Sequence, residues 1–105
     1  MSKTICAPNL KAAFPVIQEW NLGDNALIQC VTNPGTEYET TEFMSGKDAD
    51  EAIENDLVYN GSQIESLVTD DDGCVYGYVW KDGYVTEFWD CDEQSWSEYV
   101  EENEL

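Results

Sequence analysis

The sequence has no histidine, and its four basic residues are all lysine, so arginine is missing as well. Without histidine the common hydrolytic triads and most transition-metal sites are excluded. Without arginine the planar fork that clamps phosphates and carboxylates is gone. Cys6, Cys30, Cys74 and Cys91 lie far apart and form no Cys-x-x-Cys pair, which leaves zinc without a ligand set. They read as reduced, mostly buried thiols, since free cysteine behaves as a small hydrophobe. No stretch reaches the ~20 apolar residues of a membrane span. After Lys3, Lys11 and Pro15 interrupt any apolar run long enough for a signal-peptide core. The expectation is a cytoplasmic chain with no cofactor, no metal and no membrane contact.

What the chain has in excess is acid. Twenty-three aspartates and glutamates against four lysines give a formal net charge of −19 over 105 residues. Self-repulsion at that density destabilises a compact state, and solubility alone asks for a net charge of only about 2 to 8 in magnitude. The excess therefore points to a positively charged partner. Acidic tails that stay disordered lack aromatic and β-branched residues, whereas this chain is 42% hydrophobic and 12% aromatic. It is expected to fold as one α+β domain over residues 1–105, with its acids displayed on a solid surface.

Leu10, Ala13, Phe14 and Ile17 recur at helical spacing after Asn9, so a short helix interrupted at Pro15 is expected between 9 and 20. Ala26 to Thr32 and Glu37 to Phe43 read as strands joined at Asn33-Pro34-Gly35, an N-terminal hairpin. A helix from about 48 to 57, capped by Asp48, carries Ala49, Ala52, Ile53 and Leu57 on one face and Asp50, Glu51 and Glu54 on the other. Ile64 to Thr69, Cys74 to Trp80 and Tyr84 to Asp90 make a C-terminal three-stranded antiparallel meander. Ser95-Trp96-Ser97-Glu98 matches a capping box and opens a terminal helix, which makes two or three short helices in all.

The loop at Asp82-Gly83 leaves the meander register open. A two-residue turn sets Cys74 opposite Cys91, and a three-residue loop sets Cys74 opposite Asp90. In the first register Tyr76, Tyr78 and Trp80 share a face with Trp89, while Val75, Val79 and Phe88 take the other. Both faces are largely apolar, so helices cover at least one and a partner meets part of the other.

Carboxylate pairs are expected by chance in so acidic a chain and carry no catalytic signal, so no enzymatic activity is expected. Asp70-Asp71-Asp72-Gly73 fails as a calcium loop, because placing Gly73 sixth puts Val68 first and Val79 twelfth. The acids are better read as a charge display. Alternate residues on a strand lie about 6.6 Å apart on one face, roughly the spacing of successive phosphates along a nucleic-acid strand. Glu37 with Glu39, and Asp90 with Asp92, fit that pattern on strands. Glu98 with Glu101 and Glu102 fits it on a helix. The candidate partner-binding residues are Asp70, Asp71, Asp72, Asp90, Asp92, Glu93, Glu98, Glu101 and Glu102, which antiparallel pairing is expected to gather at one end of the sheet. Trp80, Trp89, Trp96, Tyr76, Tyr78 and Tyr99 are candidates for contacts within that surface.

Small size, extreme negative charge, an aromatic-rich interior and the acidic terminus Trp96-Ser97-Glu98-Tyr99-Val100-Glu101-Glu102 together resemble DNA-mimic inhibitors encoded by phages and plasmids. Anti-CRISPR and antirestriction proteins are the best-known kinds. The resemblance is one of overall character and transfers no residue roles. It implies an inhibitor in the cytoplasm of a bacterial host that occupies the groove of a basic nucleic-acid-binding protein without itself binding nucleic acid. Two other readings fit the same charge: an immunity protein or antitoxin that neutralises a basic nuclease, and an ordinary protein of a salt-rich cytoplasm.

Overall fold

A computed structural model describes residues 5–6, 22–72 and 74–105, with backbone alone at 5, 6 and 74. The helix expected between 9 and 20 lies outside the described residues. The elements run β1 (Ile5–Cys6), β2 (Ala26–Thr32), β3 (Thr40–Ser45), α1 (Gly46–Tyr59), a 3-10 turn (Gly61–Gln63), β4 (Ile64–Thr69), β5 (Cys74–Trp80), β6 (Val85–Ser95) and α2 (Trp96–Asn103). The fold is α+β, with every strand pair antiparallel.

The strands expected as a separate hairpin and meander form a single sheet in the order β1-β5-β6-β2-β3, with β4 pairing β5. The join is between β2 and β6, and the composition of β2 explains it. Leu27 (3% exposed), Ile28 (0%) and Val31 (7%) bury both faces of that strand. A strand apolar on both faces is stable inside a sheet and not at its edge.

Several boundaries differ from the sequence reading. β3 begins at Thr40, because the turn at Asn33-Pro34-Gly35 runs on: Glu39 N–H donates to the Thr36 carbonyl (3.2 Å) and Gly35 N–H donates to Glu39 Oε1 (3.1 Å). Glu37 and Glu39 therefore sit in a loop and do not form the strand-borne carboxylate row expected of them. α1 starts two residues before Asp48, and its cap is Ser45, whose Oγ accepts from Asp48 N–H (3.1 Å). The capping-box helix at the terminus forms as read, with Ser95 Oγ accepting from Glu98 N–H (3.3 Å).

One face of the sheet is covered by α1, whose Ala49, Ile53 and Leu57 pack with Ile28, Ile64, Val75, Tyr78 and Phe88 to form the core. Within it Tyr78, 1% exposed, donates its hydroxyl to Asp56. Burial, then the bond to Asp56 and its charge, push the Tyr78 pKa up, so the phenol stays protonated.

The β5–β6 connection is a three-residue loop. Val79 pairs with Val85, Trp80 N–H donates to the Tyr84 carbonyl (2.8 Å), and Gly83 N–H donates to the Trp80 carbonyl (2.9 Å). The register that would set Cys74 opposite Cys91 is thereby excluded. On its β1 flank Cys74 pairs with Cys6.

Candidate functional site

Two irregularities in the ladders decide where the chemistry-bearing side chains go. The first is in β6. Ala26 pairs with Ser95 and Ile28 with Asp90, so β2 advances two residues (28 − 26) while β6 advances five (95 − 90). The surplus bends Cys91 to Gln94 out of the regular pleat. Asp90, Asp92, Glu93 and Glu98 line a shallow concavity there with Leu22 and Asn25. α2 is fixed against its rim by Asn25: the Asn25 carbonyl accepts from Trp96 N–H (2.8 Å), its Oδ1 accepts from Ser97 N–H (3.1 Å), and its Nδ2 donates to Ser97 Oγ (3.0 Å).

The carboxylates of this concavity repel one another. Partial burial, followed by the Asp92 charge, raises the pKa of Asp90. Burial, then Asp90 and Asp92, likewise raise that of Cys91. Gln94 Nε2 donates to Glu102 Oε2 (2.7 Å), which ties the outer face of α2 to the same stretch of β6. Glu101 is exposed on α2.

Asp70, Asp71 and Asp72 are exposed in the β4–β5 turn, where Asp72 N–H donates to Asp70 Oδ1 (3.0 Å). The sheet pairing does not bring this turn beside the other acids as expected. The β5–β6 pairing runs from Val79–Val85 to Gly77–Glu87, and β1 pairs with β5 at Cys74 and Val75 on that same flank. Asp90, Asp92, Glu93 and Glu98 thus share one concavity, whose lining does not include Asp70 to Asp72.

The second irregularity is in β5. Val68 pairs with Gly77 and Thr69 with Val75, leaving Tyr76 as an extra residue in a bulge. Val75 and Tyr78 can then both face the core, and Tyr76 turns to the opposite face. A side chain on Gly77 would place its Cβ 2.3 Å from the Thr86 carbonyl oxygen, so the close passage of β6 at the bulge requires glycine.

On the face away from α1, Gln29 pairs with both Phe43 and Trp89, which sets these side chains in one row across three strands. Trp89 meets Tyr76 with ring centroids 4.5 Å apart, and Phe43 meets Tyr99 at 5.1 Å. Trp96 stacks on Tyr99 at 5.6 Å, closing the α2 end of the row. Trp89 is 44% exposed, and its indole N–H donates to Glu87 Oε1 (3.2 Å). Of the aromatic candidates, Tyr78 belongs to the core and Trp80 packs against it, with Nε1 donating to Thr86 Oγ1 (3.1 Å). Glu87 and Phe43 were not among the expected contact residues. The alternation of Glu87 with Trp89 along one strand was the available signal for the first, and the pairing through Gln29 had none.

Among the described residues no group of three or more His, Cys, Asp or Glu side chains could hold a metal ion, and no helix is long and apolar enough to cross a membrane. No family model, curated protein or solved structure matches the chain.

Proposed function

We propose that this protein is a non-enzymatic DNA mimic that occupies the basic groove of a nucleic-acid-binding protein, such as a CRISPR effector or a restriction complex, and keeps nucleic acid out. The observation that carries the reading is the concavity formed by Asp90, Asp92, Glu93 and Glu98 in a chain of net charge −19. Carboxylates held on a sheet and a capped helix give up little conformational freedom when they meet lysines and arginines, so binding loses less to ordering than it would with a flexible acidic tail. The long-range field speeds encounter with a basic channel. Lys47 and Lys81, the two lysines among the described residues, are both exposed. Four lysines in the whole chain are too few to neutralise a run of phosphates. The partner is therefore a protein and not nucleic acid.

The test begins with a basic partner recovered from bacterial lysate by a salt gradient. Labelled duplex DNA bound to that partner is then titrated with the purified chain. Stoichiometric displacement is expected, with an apparent affinity that falls steeply with salt. A complex holding DNA and this chain together would overturn the mimic reading in favour of an immunity-type neutraliser that binds beside the groove. A gel shift of DNA by the pure chain would overturn both.

A further inference from the structure

We propose that the half-buried Tyr76 and the exposed Trp89, with Glu87, form a receiving site for an arginine side chain of the basic partner. The inference rests on the reading above and assigns it a specific contact.

Three features converge at this place. The bulge at Tyr76 removes that ring from the core and sets it 4.5 Å from Trp89, so two aromatic rings make one platform. Trp89 is 44% exposed and its orientation is held by the bond from its indole N–H to Glu87 Oε1. Negative charge surrounds the platform: burial first, and then the charges of Glu87 and Asp70, raise the pKa of the Tyr76 hydroxyl. An electron-rich ring face beside a carboxylate attracts a cation.

Other occupants fit less well. A nucleobase would stack on the same rings, but it brings phosphates towards a chain of net charge −19. A second copy of the chain brings the same charge. Between the two basic side chains the site favours arginine, whose guanidinium is flat, weakly hydrated and able to stack on an indole while its N–H groups reach a carboxylate. Lysine offers a compact, strongly hydrated charge that gains less from a ring.

The experiment compares nona-arginine with nona-lysine, peptides of equal formal charge, binding to the full chain and to Trp89→Leu by fluorescence anisotropy of the labelled peptide. Wild type should bind nona-arginine about fivefold more tightly, the ratio corresponding to ~1 kcal/mol of cation–π attraction. Trp89→Leu should remove that preference, weakening nona-arginine binding more than nona-lysine binding. Trp89→Tyr, which keeps a ring, should retain part of it. In parallel, the indole N–H resonance absent from Trp89→Leu spectra should shift saturably in wild type with nona-arginine. Equal affinity for the two peptides in wild type, or an arginine preference that survives in Trp89→Leu, would overturn the site while leaving the acidic-mimic reading intact. Failure of either peptide to bind wild type at low salt would overturn both.

Discussion

Replacing Gly77 by alanine puts a methyl carbon 2.3 Å from the Thr86 carbonyl oxygen, 3.0 Å from Glu87 Cα and 3.1 Å from Glu87 Cγ. Two of these three atoms belong to the backbone of β6, so no rotamer change relieves the contact. Ordinary van der Waals separation needs β6 to retreat by about 1 Å, which opens the β5–β6 ladder where Gly77 pairs with Glu87. Overpacking of this kind costs about 1 to 3 kcal/mol, and a clash with backbone belongs near the upper end. At roughly 4 to 8 °C per kcal/mol for a domain of this size, the melting temperature should fall by about 10 to 20 °C. Gly35→Ala is the control. It has no neighbour within 4 Å, so its cost arises only from its φ of +76° and should be about 1 kcal/mol. Thermal melts followed by near-ultraviolet circular dichroism, which reports the packing of the aromatic rings, distinguish the two. If Gly77→Ala melts no lower than Gly35→Ala, the tight passage of β6 over the bulge is refuted, and with it the account of how Tyr76 leaves the core.

Much of the fold was legible because local chemistry and tertiary packing agree. β2, β4 and β5 begin and end where runs of β-branched and aromatic residues meet turn residues. The last helix starts at its Ser-x-x-Glu box. Reading failed where one local signal competed with another. Thr40 to Phe43 and Glu37 to Glu39 look alike as strand formers, but the Asn33-Pro34-Gly35 turn recruits the Glu39 side chain as an acceptor and delays β3. Ser45 and Asp48 are both good caps, and the serine wins because its oxygen satisfies the Asp48 N–H.

The arrangement of the candidate site was less legible, for a reason that lies in strand periodicity. Alternation assigns faces only while every residue is paired one to one. The extra residue at Tyr76 reverses the faces along β5, so Tyr76 and Tyr78, two apart, end on opposite sides. The three surplus residues of β6 similarly draw Asp92 and Glu93 towards α2. Neither bulge has a turn-like signature in sequence. Gly77 is the nearest clue, since glycine inside a strand marks a bulge or a close approach.

Protonation should stabilise the protein. Asp50, by burial offset in part by Leu22 N–H, and Asp90, by burial and then Asp92, have raised folded-state pKa values. Their contribution is complete below the ordinary carboxylate range and is lost as pH rises through those raised values, so melting temperature should increase as pH falls from neutrality towards the ordinary carboxylate range; a steady fall over that interval would refute the assignment. The Cys30 thiol, pushed up to about 11 by burial, then by Glu42 and Asp56, should react with iodoacetamide at about pH 8 roughly a hundredfold more slowly in the folded chain than in urea. Equal rates would show that the thiol is open to solvent. The last prediction compares the β6 concavity with the acidic β4–β5 turn. Neutralising Asp90, Asp92, Glu93 and Glu98 with Asn or Gln should slow association with the basic partner more than neutralising Asp70, Asp71 and Asp72, because the first four share one concavity and present a more concentrated field. Both variants should stay folded, since exposed charges contribute little to stability and the fold favours the neutral form of the half-buried Asp90. Charge reversal of Glu37, Glu39 and Glu42, around the β2–β3 connection, is the control. If that control abolishes binding while the concavity variant binds at the wild-type rate, the partner grips the opposite end of the sheet, and the working surface proposed here is wrong.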